Sequence, residues 1–226
     1  RRQMTFINLP ESPNVRWRHV ESAHAVLIGG AGGYSATEQH DFTRPLAEVV
    51  HRLIDDDRPI FGSCWGHQFL ADAFGGNVIE DHERSEVGTF NIELTDAGRR
   101  DPLFEGFPDR FYAQLGHNDR ILDPGPRGVE LAASARCPMQ AVRFGPGPVY
   151  GTQFHSELDE QRLRERLQVY GANYVPDADE YQRAGRVLGA GVGERARPRD
   201  GDDPRPGGPG ARGRARRDVD SHRPRR

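Results

Sequence analysis

The sequence of 226 residues contains no lysine, so all 31 of its basic side chains are arginine. It has two cysteines, too few for a disulfide framework, and it lacks both a secretory signal and an apolar run of membrane-spanning length. These absences predict a reducing cytoplasm as the setting and no membrane partner. The net charge of −3 argues against a nucleic-acid-binding protein.

The basic residues are concentrated at the C-terminal end. Residues 190–226 hold 11 arginines against 6 acidic residues, and this stretch has almost no large apolar side chain. Such a segment cannot bury enough apolar surface to offset its ordering entropy, so a disordered tail is predicted there. An electrostatic arm for nucleic acid is the alternative, and we favour a solvated tail. The rest, residues 1–189, is expected to form one domain.

The most informative stretch is 59–76. Residues 59–61 (PIF) end a predicted buried strand, GSCWG at 62–66 turns the chain, and residues 69–74 have helical apolar spacing. A strand, a Gly-x-Cys-x-Gly turn and a helix make a nucleophile elbow, which exposes one side chain at the end of the strand. Here that side chain is Cys64, and the helix dipole behind it favours the thiolate that attacks carbonyl carbons. The alternative for a bare G-x-C-x-G turn is a buried structural cysteine.

Strands and helices alternate along the first half of the chain. A strand is predicted over 23–28 and a helix over 41–54, and the strand and helix of the elbow follow; this alternation is typical of a parallel sheet with helices on both faces. A strand is also predicted over 77–80. Short strands separated by Gly and Pro turns follow at 87–95, 110–115, 129–135, 140–144 and 149–154, with a loop or short helix at 101–107. Further helices are predicted over 158–174 and 179–188.

A glycine-rich loop, GGAGG at 29–33, directly follows the first strand. Such a loop allows a ligand to approach backbone N–H groups that bind an anion or an oxyanion, although a plain turn is the alternative. It is a poor phosphate loop because it lacks Lys-Ser/Thr and the GxGxxG spacing. The acidic run 55–57 is interpreted as a solvated loop rather than a metal site. No metal or cofactor is predicted.

A nucleophilic thiol needs a base and a group that orients the base. Among nine histidines, His155 stands out because it follows the strand 149–154, and functional groups gather at the carboxyl ends of parallel strands. Glu157 lies two residues further on, so strand periodicity puts both side chains on one face. His67, inside the elbow helix, is expected to point away from Cys64. The alternative for His155 is an ordinary surface or core histidine whose hydrogen bonds are satisfied. The H-x-E pair makes this alternative less favoured.

These segments resemble the signatures of the class I glutamine amidotransferases. GSCWGHQ at 62–68 is similar to G-x-C-x-G-x-Q, and QFHSE at 153–157 is similar to Q-F-H-P-E. The resemblance covers roughly residues 24–174 in a consistent order. LGHND at 115–119 resembles the S-H-G-D segment of the GMP-synthase-like branch. Segments 87–88, 101–104 and 136–141 resemble the small stand-alone amidotransferases most closely.

The resemblance implies an α/β, flavodoxin-like fold with a mostly parallel sheet flanked by helices, and short antiparallel strands around 87–115 and 129–154. The implied reaction is hydrolysis of the glutamine side-chain amide, with Cys64 as nucleophile, His155 as general acid and base, and Glu157 as orienting group. The residues implied at the oxyanion and in the substrate pocket are Gly30, Ala31, Gly32, Trp65, Gln68, His117 and Asn118. Cys137, which has no elbow or base nearby, is expected to be structural.

The chain departs from the family pattern at three places. Ser156 replaces the usual proline, Ala31 stands where the glycine loop usually has proline, and the family's first strand and following helix are largely missing. An N-terminally incomplete domain is therefore expected.

The implied product, ammonia, needs an acceptor. Residues after 174 are too few and too polar for an acceptor-activating domain, so a separate synthetase subunit is the expected partner. A stand-alone cysteine hydrolase of γ-glutamyl compounds remains an alternative, and so does a catalytically retired regulatory domain. The intact Cys64, His155 and Glu157 count against the retired domain.

Overall fold

The computed structural model describes residues 3–159, 161, 162 and 165. Within that part of the chain the elements are, in order, β1 (Val26–Ile28), α1 (Thr43–Asp55), β2 (Ile60–Ser63), α2 (Trp65–Ala73), β3 (Asn77–Glu80), β4 (Glu86–Leu94), β5 (Arg110–His117), β6 (Asp119–Asp123), β7 (Gly128–Ser134), β8 (Ala141–Phe144) and β9 (Val149–Thr152). Single turns of 3-10 helix lie at Trp17–His19, His82–Arg84, Gly98–Arg100 and Pro102–Phe104.

Seven strands form one mixed sheet in the order β1-β2-β9-β8-β7-β4-β5, and β3 and β6 pair separately. Pairing is parallel from β1 through β2 to β9 and antiparallel from β9 to β5. The predicted parallel sheet is thus the half that carries the elbow. The antiparallel strands predicted around 87–115 and 129–154 build the other half, except that β9, inside the second range, also pairs in parallel with β2. Short Gly and Pro loops such as the one between β8 and β9 permit only antiparallel neighbours, since a parallel pair needs a long crossover.

Two helices cover one face of the parallel strands. α1 buries its apolar stripe, which includes Val50 and Leu53, both 0% exposed. Each such side chain contributes about 1.5–3 kcal/mol by leaving water. α2 is buried from its first residue through Ala71. It lies close against the sheet because Gly62 and Gly151 have no side chains there: a Cβ on Gly151 would meet the His67 ring.

A second apolar core fills the antiparallel half. Its buried members include Ile92, Leu115, Leu131 and Phe154. Phe154 packs edge-on against Phe111 of β5, with ring centroids 5.5 Å apart. This packing fixes the end of β9, where the chain leads into His155.

Several predicted elements have different boundaries, and β6 was missed. The segment 119–123 (DRILD) has charged residues at three of its five positions, so no strand pattern was visible; in the structure it pairs with β3, and the Arg120 Nε donates to Asp81 at 2.7 Å. The predicted loop or helix at 101–107 is largely a 3-10 turn, capped by Asp101, which accepts from the Leu103 N–H at 3.0 Å. The predicted strand 149–154 ends at Thr152.

The predicted helices over 158–174 and 179–188 lie almost wholly outside the described residues. The predicted tail, 190–226, lies entirely outside them, so the domain boundary stays a prediction. None of the helices in the described residues is long and apolar enough to cross a membrane.

Candidate active site

The turn between β2 and α2 holds Cys64 in a conformation that side chains rarely adopt, with φ +53° and ψ −106°. The flanking glycines are required by close backbone approaches. A Cβ on Gly66 would collide with the carbonyl oxygen of Ile28, and one on Gly62 would collide with the carbonyl of Gly66. The strand, strained turn and helix therefore have the geometry of a nucleophile elbow.

The Cys64 sulfur lies at the N-terminus of α2 and is enclosed, with the residue 6% exposed. The thiol is 3.7 Å from the carbonyl oxygen of Gly116, and the Gln153 amide Nε2 donates to the sulfur at 3.7 Å. The backbone N–H groups of His67 and Gln68 donate to the Cys64 carbonyl. Trp65, the first residue of α2, has a backbone N–H with no acceptor inside the helix, as is general for first turns.

His155 and Glu157 form a close pair. The His155 Nδ1–H donates to Glu157 Oε1 at 2.6 Å; the histidine is 2% exposed, and the glutamate side chain is 51% exposed. This contact assigns the proton to Nδ1 and leaves Nε2 as the nitrogen suited to proton transfer. The pair forms although exposed Ser156 replaces the proline of the family signature.

The sheet brings Cys64 and His155 to the same place. Parallel strands β2 and β9 are neighbours, and the Cys64 N–H donates to the Thr152 carbonyl at 2.8 Å. β5 contacts both residues: Gln114 accepts from the His155 N–H at 2.9 Å, and Gly116, two residues on, lies at the Cys64 sulfur. A thiol, an imidazole and a carboxylate in this order along one sheet edge are suited to nucleophilic acyl transfer.

The Gln68 side chain, predicted to seat substrate, is 3% exposed and bonded within the protein. Its Nε2 donates to the Asp119 carbonyl at 2.6 Å and to Gln153 Oε1 at 3.0 Å. Gln68 thereby holds the side chain of Gln153, which contacts the Cys64 sulfur. Sequence reasoning gave Gln153 no role, although it is the first residue of the second signature.

His117 ends β5, and Asn118 follows it. His117 is 2% exposed, its Nδ1 is 3.0 Å from the Asp119 carbonyl, and its Nε2 is 3.2 Å from Glu86 Oε2. Asn118 is half-buried, and its carbonyl accepts from the Asp81 N–H at 3.0 Å.

The segment that follows the glycine-rich loop is anchored on the next residue, Asp119. Its carboxylate accepts from the Ser35 hydroxyl at 2.7 Å and from the Ala36 N–H at 2.9 Å. Ala31 packs against the core, whereas Gly29 and Gly30 are exposed. Asp119 was missed as a site residue, and the signal was the final Asp of LGHND.

Two further groups are kept out of the chemistry by burial. Burial lowers the pKa of His67 to about 4, and its Nε2–H donates to the Met139 carbonyl at 2.8 Å, so the ring is neutral near pH 7. Burial, helped by the Glu86 charge, raises the pKa of the Cys137 thiol to about 12. Cys137 therefore stays protonated and unreactive, in agreement with a structural role.

Two surface clefts, of about 190 and 550 Å³, are lined by other residues, including Trp65 for the smaller and Glu86 for the larger. Neither has Cys64, His155 or Glu157 in its lining.

Comparison with known proteins agrees with this geometry. The family model "Glutamine amidotransferase class-I" matches residues 3–168. One subunit of the glutamine-hydrolyzing GMP synthase of Methanopyrus kandleri is 39% identical over 138 residues, which are 61% of this chain and 68% of that one. The glutamine-hydrolyzing GMP synthase of Thermosipho africanus is 34% identical over 151 residues, which are 66% of this chain but 27% of that one. The chain thus spans about a quarter of the longer relative.

Solved structures show the same fold. A glutamine amidotransferase from Thermotoga maritima superposes with a TM-score of 0.60 at 23% identity, covering 75% of this chain and 74% of that one. A putative GMP synthase subunit from Thermoplasma acidophilum gives 0.57 at 23% identity, covering 79% and 88%. The predicted fold is confirmed by these likenesses. The match to the family model over most of its length identifies this chain as a member of the class I glutamine amidotransferase family.

Proposed function

We propose that this chain hydrolyses the side-chain amide of glutamine through a thioester on Cys64 and supplies the ammonia to an acceptor on another chain. The observation that carries the proposal is the strained elbow thiol on the strand next to a His155–Glu157 pair joined at 2.6 Å. Membership of the amidotransferase family supports glutamine as the substrate.

In this mechanism the Cys64 thiolate attacks the amide carbon. The oxyanion that develops is stabilised by the Trp65 N–H and by N–H groups of the loop residues Gly30, Ala31 and Gly32. Each donor of this kind lowers the barrier by about 3–4 kcal/mol. His155 Nε2, which has taken the proton of the Cys64 thiol, donates it to the amide nitrogen, which leaves as ammonia. The neutral imidazole then takes a proton from the water that hydrolyses the thioester, while Glu157 holds the tautomer and stabilises the imidazolium.

Gln68, His117 and Asn118 form the wall of the proposed glutamine pocket. The Gln68 amide acts there through Gln153 and the Asp119 carbonyl, the two groups it bonds. Because the sulfur is enclosed, we expect the pocket to open only in part in the isolated chain. A partner that orders the loop 29–33 would accelerate turnover, which also limits wasteful hydrolysis.

The partner we propose is a synthetase subunit that prepares the ammonia acceptor. Support comes from the relatives in Methanopyrus kandleri and Pyrococcus abyssi, each described as one subunit of a GMP synthase. The Pyrococcus abyssi protein is 36% identical over 111 residues, 49% of this chain and 57% of that one.

The test is ammonia release from glutamine and from a panel of γ-glutamyl amides, with and without proteins co-purified from the native cell. We expect slow hydrolysis of glutamine by the chain alone, faster turnover with the partner, none for Cys64→Ala, and wild-type rates for Cys137→Ala. Full activity alone on a γ-glutamyl amide, with glutamine a poor substrate, would identify a free-standing hydrolase. No turnover in any condition, with Cys64 still open to alkylation, would identify a retired regulatory domain.

A further inference from the structure

A buried hydrogen-bond network connects the Cys64 sulfur to Glu86, a residue that no motif singled out. Gln153 bonds the sulfur and accepts from Gln68, which also donates to the Asp119 carbonyl. The same carbonyl faces His117 Nδ1, and His117 Nε2 faces Glu86. The four side chains between the sulfur and the far end of this network (Gln153, Gln68, His117 and Glu86) are all 3% exposed or less.

Glu86 lies at the base of this network and is 0% exposed. Three polar groups converge on its carboxyl group: the Ser134 hydroxyl at 2.6 Å on Oε1, and Gln140 Nε2 at 2.6 Å with His117 Nε2 at 3.2 Å on Oε2. A buried polar group is costly unless its hydrogen bonds are made, and these three contacts hold the Glu86 carboxyl group in one position.

The contacts of His117 hold its ring between two groups. Its Nδ1 faces a backbone carbonyl, which only accepts, so Nδ1 carries a proton and donates to the Asp119 carbonyl. Its Nε2 faces Glu86 Oε2 at 3.2 Å. The ring therefore bridges the Glu86 carboxyl group and the Asp119 carbonyl.

We propose that Glu86 is a positioning residue of the glutamine pocket: its carboxyl group holds the His117 ring, and the ring holds the Asp119 carbonyl in place for Gln68. This inference rests on the proposed function. Glu86 touches neither the sulfur nor His155, so its removal changes the shape of the pocket wall and leaves the chemistry of the thiol intact. Loss of Glu86 therefore weakens glutamine binding more than it slows turnover.

A metal ion is the competing interpretation of the same residues. Donor atoms of Glu86, His117 and Cys137 lie within 4.8 Å of one another and are buried. The hydrogen bonds described above already use the carboxylate and both ring nitrogens, and the Cys137 thiol donates to the Pro138 carbonyl at 3.4 Å. A protonated thiol is a poor metal ligand. The hydrogen-bond network accounts for the geometry without a metal ion.

The first test is the steady-state kinetics of Glu86→Gln. We expect the KM for glutamine to rise about tenfold, with kcat within about twofold of wild type, and the rate of Cys64 alkylation by iodoacetamide to stay unchanged. Asp101→Asn is the matched control, because Asp101 is also a buried carboxylate with an arginine partner, Arg143, at 2.9 Å. Its KM should not move. An unchanged KM in Glu86→Gln, or an equal rise in Asp101→Asn, would overturn the proposal.

The second test observes the ring itself. Side-chain ¹⁵N NMR of the wild-type protein, with His117 assigned by its loss in His117→Gln, should show a proton on Nδ1, which donates to the Asp119 carbonyl. Glu86→Gln should shift the Nε2 resonance. An Nδ1 without a proton in the wild type would overturn the proposal even if Glu86→Gln failed to fold, and so would zinc bound in equimolar amount after dialysis.

A double variant tests whether Glu86 and His117 act together or independently. Because the two side chains act as one unit, Glu86→Gln/His117→Gln should raise KM no more than the worse single variant. If the wild type releases no ammonia, the proposed hydrolysis fails, and glutamine binding to Cys64→Ser measured by calorimetry still tests the positioning role. The Glu86→Gln change should weaken that binding about tenfold, and equal affinity would overturn the inference alone.

Discussion

Replacing Cys64 by glycine should stabilise the protein relative to replacing it by alanine. The backbone at Cys64 has φ +53° and ψ −106°, close to the first central position of a type II′ turn, which glycine favours. A side chain held in such a region costs about 1–3 kcal/mol. Glycine removes that strain but adds about 0.4–1 kcal/mol of chain entropy to the unfolded state. The free energy of unfolding of Cys64→Gly should therefore exceed that of Cys64→Ala by about 1–2 kcal/mol.

Both variants lose the same thiol, so urea denaturation of the two isolates the backbone effect. With a slope of about 2 kcal/mol/M, the midpoints should differ by about 0.5–1 M. Cys137→Gly and Cys137→Ala are the matched control, because Cys137 has an ordinary negative φ and is 1% exposed. There alanine should be the more stable. A Cys64→Ala protein as stable as Cys64→Gly, or more so, would refute the strained elbow.

Three further predictions concern the elbow, the buried histidine and the proposed base. Gly66→Ala should lose about 3 kcal/mol or more of stability because its methyl group would collide with the Ile28 carbonyl. The control is Gly33→Ala, whose methyl group meets no described atom within 4 Å; its free energy of unfolding, measured by denaturation, should stay within about 0.5 kcal/mol of wild type. The pKa of His67 is about 4 in the folded protein against 6.5 in the unfolded chain, so only the unfolded chain gains a proton as the pH falls through this window. The free energy of unfolding should therefore drop by about 2.5 kcal/mol between pH 7 and 4.5. His67→Gln should lose that share of the pH dependence. In a glutaminase assay, His155→Ala should abolish turnover, Glu157→Gln should leave a measurable remnant, and Cys64→Ala/His155→Ala should be no worse than either single variant; activity retained by His155→Ala would contradict this assignment.

Local sequence patterns were sufficient for much of the fold. The apolar stripe of α1 is continuous and buried, so its helix was predicted to within two residues at each end. α2 begins four residues earlier than its apolar spacing indicated, because its first turn buries Gly66, His67 and Gln68. Polar residues at buried positions are invisible to an apolar pattern, and here they are satisfied by Met139 and Asp119 carbonyls that only the folded chain supplies.

The residues of the candidate site also divide into those that the sequence predicts and those that it does not. Cys64, His155 and Glu157 could be proposed from sequence because each lies in a short motif tied to a strand end. Glu86 could not, since its role depends on Ser134 and Gln140, which lie about 50 residues away in the chain and reach it only through the pairing of β4, β5 and β7. The role of such residues depends on non-local packing, which a single sequence does not display.

The central claim is that Cys64 is the nucleophile of a glutamine site. The most direct measurement is peptide mass mapping after incubation with an electrophilic glutamine analogue, with and without excess glutamine. The elbow geometry and the raised pKa of the second thiol predict modification of Cys64, protection by glutamine, and no modification of Cys137. Equal labelling of the two cysteines, or labelling of Cys64 that glutamine does not slow, would contradict the account.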